Sequence, residues 1–474
     1  MNKPTDDQQK IIDADVSNML VSAGAGCGKS SVLTARIIKR IKEGNLSIKN
    51  LIVLSFTNAS ANDIRKKIKD ALKSELKDNE RLRDEYDYVE QSNISTFDSL
   101  CHNLFKKYSY KLGLKSDINI LDSTQDAFIL DSIIRNVCDK YYDNLDFIKL
   151  LDITTIRDDN DFINALHSFY DSSVNNSVDS IEFLHNMVSK TKDNLRKLLD
   201  DYKNEKNAII NQIKMAYIDN DIDEDADNIF RSFINPILNA KDYNDLEDFK
   251  LDISTLPGRN RKPFAGKNNP NGDFHLKFKP LLTKYLEYNT SVKSIEESLN
   301  DTLNYANIIR DICIDIHDEY IAYCYSHNAF MFNDVAKMVI KLLKENSDAL
   351  AEIKNSITEI YVDEYQDTSN IQEELINLIS NNNLIVVGDV KQSIYRFRDA
   401  NPNIFKKKFE EYGNNRGGRR VDLKDNFRSR VEVLKEINDI FDLLMTSDFD
   451  GINYKEEHRL NPCYQHLIDV LLYN

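Results

Sequence analysis

Short, continuous apolar runs rich in β-branched residues recur in two parts of the chain. Asn18–Ala23 and Leu51–Phe56 lie in the first part, Ile360–Val362 and Leu384–Val387 in the second. Each is followed by a loop and then a segment of helical period. A strand buried on one face alternates apolar and polar positions. A run that is apolar throughout needs cover on both faces, which points to a parallel sheet with helices on either side. Residues 116–344 read differently. Leu130, Ile133, Ile134 and Val137 recur at helical spacing, as do Ile295, Leu299, Leu303, Ala306, Ile309, Ile312 and Ile316, and no convincing strand run appears among them. The pattern predicts an α/β lobe built from residues 1–115 and 345–421, a mainly helical domain inserted over 116–344, and the beginning of a second lobe over 422–474. No internal repeat is visible.

Length agrees with this division, since 474 residues allow about three domains of roughly 150 each. The N-terminus is polar and acidic, unlike a signal peptide, and no apolar run approaches the ~18 residues of a membrane span. These features predict a cytoplasmic chain without a membrane partner. Cys27, Cys101, Cys138, Cys313, Cys324 and Cys463 are scattered without CxxC or CxxxH spacing, which argues against zinc, iron–sulfur or disulfide frameworks. A net charge of −16 argues against wrapping nucleic acid over the whole surface but leaves a local channel open. One stretch is basic. Between Arg259 and Lys279, Arg259, Arg261, Lys262, Lys267, Lys277 and Lys279 face only Asp273, with Phe264, Phe274 and Phe278 interleaved. We read it as a loop that touches duplex DNA, against the plainer reading of a solvated charge run.

Three segments carry chemistry, and all fall where parallel sheets place functional groups, after strand carboxyl ends. The first, Ala23-Gly24-Ala25-Gly26-Cys27-Gly28-Lys29-Ser30, follows a strand and opens a helix, Ser31–Lys42. It reads AxxGxGKS, with Ala where the phosphate-loop pattern usually starts with Gly. Glycines let backbone N–H groups curl around phosphate at a helix N-terminus. Lys29 would bridge the β- and γ-phosphates of ATP, and the Ser30 hydroxyl would bind Mg²⁺. Cys27 reads as a tolerated small residue. The second segment, Val362-Asp363-Glu364-Tyr365-Gln366-Asp367, ends another apolar strand. Asp363 would hold Mg²⁺ while Glu364 polarises the attacking water; a solvated acidic loop is the bland alternative. The third, Gly388 to Arg398, sets Gln392, two arginines and two aromatics after a buried strand. Gln392 and Arg398 would read a γ-phosphate, and Tyr395 and Phe397 would stack on bases.

Phe56-Thr57-Asn58-Ala59, Ser95-Thr96-Phe97-Asp98-Ser99, Asp363–Thr368, Gly388–Arg398 and Asp425-Asn426-Phe427-Arg428-Ser429 together resemble the motifs of UvrD-like superfamily 1 helicases. The resemblance implies a P-loop NTPase (RecA-like) motor lobe and ATP hydrolysis coupled to 3′–5′ movement on single-stranded DNA. It places Gln8 on adenine, Phe427 stacked on adenine and Arg428 on the γ-phosphate. The nucleotide-binding set is then Gln8, Ala23, Gly24, Ala25, Gly26, Cys27, Gly28, Lys29, Ser30, Ser31, Arg36 and Phe427. The DNA-facing set is Phe56, Thr57, Asn58, Thr96, Phe97, Tyr395 and Phe397. The segments Ile94–Cys101, Asn426–Leu434 and Asp450-Gly451-Ile452-Asn453-Tyr454 narrow the likeness to AddA-type helicase–nuclease subunits, which process broken DNA ends for recombinational repair with an AddB-type second subunit. The family commonly has His where this chain has Asp98. Its second motor lobe, with a further arginine finger, and its nuclease domain are not seen before Asn474, so the chain reads as a piece of a longer protein or as a short relative. Three alternatives stay open: an ATP-gated DNA-binding or partner-docking module, a P-loop ATPase outside DNA metabolism, and a stand-alone helicase of defence or repair.

Overall fold

The computed structural model describes residues 3–76, 79–154, 158–174, 177–218, 221–446 and 453–463; Asp450–Ile452 of the narrower likeness lie outside them. The apolar runs become strands β1 (Met19–Ala23), β2 (Leu51–Ser55), β4 (Glu359–Val362) and β5 (Leu384–Gly388). With β3 (Asn93–Thr96) and β6 (Arg419–Leu423) they form a six-stranded sheet in the order β3-β2-β4-β5-β1-β6. Every neighbouring pair is parallel. β1, β2, β4 and β5 are buried along their whole length, as strands covered on both faces must be. On one face, Met19, Val21, Val53, Tyr361, Ile385 and Val387 share a core with helices α1 (Asp6–Ile12), α2 (Lys29–Lys42) and α3 (Asn58–Glu75). On this α/β class the prediction holds.

The edges of the sheet are harder to read from sequence. β3 and β6 are the outermost strands, and most of their residues are only half-buried. Their sequences, Asn-Ile-Ser-Thr and Arg-Arg-Val-Asp-Leu, carry the polar groups that edge strands tolerate, so no apolar run announces them. The expected lobe end at 421 cuts β6 two residues short of its end at Leu423.

By compactness the chain divides into one unit of 1–129, 169–179 and 321–474 and another of 130–168 and 180–320. The helical unit is therefore narrower than 116–344. A two-residue ladder pairing Asn119–Ile120 with Ala329–Phe330 belongs to the sheet-bearing unit, and ladders that short leave no periodic signal. The helical unit holds the helices Ser180–Ile218, Glu224–Asn239 and Pro270–Leu286 and most of Val292–His327. Its core includes Ile213, Phe230, Ile234, Phe264, Phe278 and Tyr285.

The basic stretch needs correction. It is not wholly a loop, because Pro270 opens a helix that runs to Leu286 with Asn269 as its N-cap. Phe264 and Phe278 are completely buried, and Phe274 stacks on Phe278 with ring centroids 4.7 Å apart. The three rings close the core of this region and offer no face to a nucleic-acid base. The six basic side chains are nonetheless exposed.

Among the described residues no helix is long and apolar enough to cross a membrane.

Candidate nucleotide and DNA site

The strand carboxyl ends lie flush. Ser22 stands beside Gly388, Val362 beside Val386 and Leu54, and Ser55 beside Thr96. The loops that leave β1, β5, β4, β2 and β3 therefore open on one edge. With strands ~4.8 Å apart, β1 and β2 tips are separated by roughly 14 Å across three strand spacings. This is the span over which the segments predicted to hold nucleotide and DNA must communicate.

At the β1 end the phosphate loop turns through Gly26 (φ 76°) and Gly28 (φ 83°), both in the left-handed region where only glycine is unstrained. Gly28 is the N-cap of α2 and supplies no side-chain acceptor, so the first N–H groups of the helix are available to an anion. Ala25 and Ser31 are exposed, Ser30 is half-buried and Cys27 is buried. Burial, with Asp389 and Asp425 nearby, pushes the Cys27 thiol up to about 12, so it stays protonated and inert. Gln8 closes the start of α1 through a capping box with Thr5, and its amide donates to the Cys27 carbonyl at 3.2 Å. It stands beside the loop as expected. From the other side, Asn426 donates to the Ala25 carbonyl at 2.6 Å, and the Phe427 N–H donates to the Gly26 carbonyl at 2.9 Å. A Cβ on Gly26 would lie 2.8 Å from Cβ of Arg428. The Asn426–Arg428 turn thus touches the phosphate loop although some 400 residues separate them.

At the tip of β4, Asp363 is buried and its Oδ1 accepts the Glu364 N–H at 3.0 Å. Burial first, and the neighbouring Glu364 second, push its carboxyl above the usual range. Such a group gains from a cation beside it. Glu364 itself is left-handed (φ 51°, ψ 43°), a conformation that costs a non-glycine residue about 1–2 kcal/mol. Its Oε2 accepts from Lys29 Nζ at 3.0 Å and from the Gln366 amide at 2.8 Å. Lys29 and Glu364, 335 positions apart, are thus an ion pair.

At the tip of β5, Asp389 accepts from Lys391 Nζ at 2.5 Å and from the Gln392 amide at 2.7 Å. Burial works to raise its carboxyl, but Lys391 and Gln392 outweigh that and hold it below the usual range. Gln392 is half-buried and oriented by this bond. The loop then carries Tyr395 onto Phe56, centroids 4.6 Å apart and stacked. Phe397 lies 5.8 Å from Tyr395 and is 76% exposed. Phe56, Thr96, Phe97, Asp363, Glu364 and Arg398 line one cleft of about 250 Å³, so the predicted base and the predicted DNA contacts share a wall.

Three expectations change. Arg36 is fully buried. It donates to Tyr361 Oη at 3.0 Å and to the Ile11 and Ala14 carbonyls, and pairs with Glu359 at 3.2 Å. It ties α1 and α2 to β4 and has no donor left for nucleotide. Arg398, expected at the γ-phosphate, lies over Phe56, Tyr395 and Phe397 at 6.0, 5.7 and 5.8 Å. Its cation sits among the rings because their faces attract it. Phe97 is 8% exposed, a cleft wall and core residue with no free face for stacking. Thr57 and Thr96 cap α3 and α4 (Phe97–Tyr108) through bonds to the Ser60 and Ser99 N–H groups, and Asn58 is exposed beside them. Sequence reasoning misses Gln366, Lys391 and Asn426 as site residues. Each lies inside one of the motif segments, but only the fold shows what it bonds.

Residues 4–413 match the UvrD/REP helicase N-terminal domain. Curated relatives named as AddA-type ATP-dependent helicase/nuclease subunits are similar over nearly the whole chain. The protein of Staphylococcus haemolyticus is 31% identical over 96% of this chain and 40% of its own length. Those of Listeria welshimeri and Clostridium beijerinckii are 29% and 28% identical, over 99% and 97% of this chain and 42% and 40% of theirs. The chain spans about two fifths of the length of these relatives. With its domain match covering the parallel sheet, the phosphate loop and the carboxylate pair, this chain belongs to the UvrD/REP helicase family.

Proposed function

We propose that the chain is the ATP-binding motor portion of an ATP-dependent DNA helicase that moves 3′ to 5′ on single-stranded DNA. Its setting would be a cytoplasmic helicase–nuclease that processes broken ends for recombinational repair beside an AddB-type subunit. The observation that carries the reading is the shared edge: Lys29 and Glu364 meet 3.0 Å apart on the cleft whose far wall is Phe56. Gly24 to Ser30 cradle the phosphates, and Lys29 exchanges Glu364 for phosphate oxygen. Ser30 and Asp363 fit a hard divalent cation, a hydroxyl and one carboxylate being the usual protein share of a Mg²⁺ shell. Mg²⁺ bound there supplies charge neutralisation on the β- and γ-phosphates. Glu364, freed from Lys29, takes the proton of the attacking water. Gln392 and Arg428 sense the γ-phosphate, and Gln8 and Phe427 hold adenine. Arg398 serves a DNA phosphate, and Phe56, Tyr395 and Phe397 serve bases. The test is ATP turnover with and without oligonucleotide, then strand separation on 3′- and 5′-tailed duplexes. Turnover indifferent to single strands, or preference for 5′ tails, would overturn it.

Phe397→Ala is expected to weaken single-strand binding by roughly 1–3 kcal/mol, the worth of one stacked base, and to lower DNA stimulation while basal turnover stays near the parent's. Fluorescence anisotropy on labelled oligo-dT checks the first half and a steady-state assay the second.

The exposed cations of Arg259–Lys279 are proposed to contact duplex DNA by charge alone, the aromatic contribution having been removed by their burial. Each neutralised phosphate contributes about −0.9 to the slope of log K against log salt. Replacing Arg259, Arg261 and Lys262 with Ala is expected to flatten that slope by up to about 2–3 and to leave ATP affinity alone. A salt titration on a forked duplex that keeps the parent's slope would return the stretch to solvent.

A further inference from the structure

Gln366 is 1% exposed, and both ends of its amide are engaged with groups of the site. The nitrogen donates to Glu364 Oε2 at 2.8 Å and to Asp367 Oδ2 at 3.2 Å. The oxygen accepts the Asp389 N–H at 3.0 Å. Its backbone carbonyl accepts the Ser393 hydroxyl at 3.2 Å. One planar group thus joins the carboxylate at the tip of β4 to the first and fifth residues of the loop that leaves β5. That loop continues to Tyr395, stacked on Phe56.

Gly388 shows how closely the amide is fitted. A side chain there would put its Cβ 2.4 Å from Gln366 Oε1 and 3.2 Å from its backbone nitrogen. Gly388 is not in the left-handed region, so space and not backbone conformation demands glycine at the end of β5. The two bonds to Glu364 also differ in lifetime. Lys29 and Gln366 both hold Oε2. Phosphate competes for Lys29, while nothing in a bound nucleotide replaces the buried amide.

We propose that Gln366 is the positioning residue through which the DNA-facing loop sets the Glu364 carboxylate once nucleotide has drawn Lys29 away. A displacement of Tyr395 by a base moves the Asp389 N–H and the Ser393 hydroxyl. Because an amide is rigid, a pull on its oxygen turns its nitrogen, and the acceptor on that nitrogen is Glu364. Among the described residues both bonds fall on Oε2, which leaves Oε1 to receive the proton of water. The inference rests on the helicase reading above and adds to it the atoms that link DNA to hydrolysis.

The test uses two variants of the whole chain. Gln366→Met keeps the volume and deletes both bonds; Gln366→Glu keeps an acceptor for Asp389 and sets a carboxylate against Glu364. Melting temperature, affinity for a fluorescent ATP analogue, affinity for oligo-dT, and kcat and KM with and without oligo-dT are measured. Affinities within about twofold of the parent are expected, with DNA-stimulated kcat reduced roughly tenfold to a hundredfold, as for a misplaced catalytic group, and KM little changed. A merely structural glutamine would lower the melting temperature and leave the stimulation ratio intact, and that result in either folded variant overturns the inference alone. A parent chain that binds oligo-dT without stimulated turnover overturns the helicase reading and the inference with it.

Discussion

Glu364→Gln is expected to bind ATP at least as tightly as the parent and to hydrolyse it about 10²–10⁴-fold more slowly, the usual contribution of a positioned base. Lys29→Ala is expected to lose nucleotide binding outright. The asymmetry follows from the ion pair between them, 3.0 Å long. A glutamine at 364 is neutral and holds Lys29 less strongly, so phosphate meets less competition for the ammonium. It can still accept the Gln366 amide but cannot take a proton from water. An alanine at 29 removes the charge that meets the phosphates and leaves Glu364 facing them uncompensated. Equilibrium binding of a fluorescent analogue and single-turnover hydrolysis separate the two effects. Hydrolysis by Glu364→Gln at the parent rate would remove Glu364 from the role of base.

Arg36→Ala is expected to destabilise the sheet-bearing unit by about 3–5 kcal/mol, the usual consequence of removing one partner of a buried pair, while nucleotide affinity of the folded protein stays at the parent's value. Glu359 and Arg36 are both fully buried. Arg40 approaches the same carboxylate at 2.5 Å, but it does not reach the Ile11 and Ala14 carbonyls that Arg36 serves. Those two acceptors would stay buried without their donor, and α1, which carries Gln8, would lose its tie to α2. Denaturant melts followed by intrinsic tyrosine fluorescence give the stability. A loss of ATP affinity in folded protein with no loss of stability would restore Arg36 to the nucleotide site.

What can be read in advance tracks burial and chain locality. The four central strands are visible because burial on both faces leaves an unbroken apolar signature; β3 and β6 are not, because an edge strand meets solvent. The phosphate loop and the carboxylate pair are visible because glycines at positive φ, a lysine at a helix start and adjacent acids at a strand end are local requirements of phosphate chemistry. Arg36, Phe97 and Arg398 are misplaced for one reason: type and position in the chain do not say which way a long side chain turns. Arg36 faces inward to Glu359, and Arg398 settles on three rings. Gln366 escapes notice because its importance lies in Asp389 and Gly388, which reach it only through the pairing of β4 with β5.

The order of strands has a consequence for how the protein is made. β4 lies between β2 and β5 in the sheet, yet in the chain it follows the helical insertion. At about 5–20 residues per second, the roughly 300 residues between Ser55 and Glu359 take about 15–60 s to synthesise. Throughout that interval β2 has only β3 beside it, and β1 has neither of its final neighbours. An apolar strand with two open edges, Met19–Ala23, is an invitation to mispairing. The helical unit, whose core draws on residues 209–285, can fold while β1 waits. The nascent chain therefore depends on a holding factor, or on α1, α2 and α3 covering β1 early. The phosphate loop exists as sequence long before it can work, and it gains its carboxylate only when Glu364 has left the ribosome.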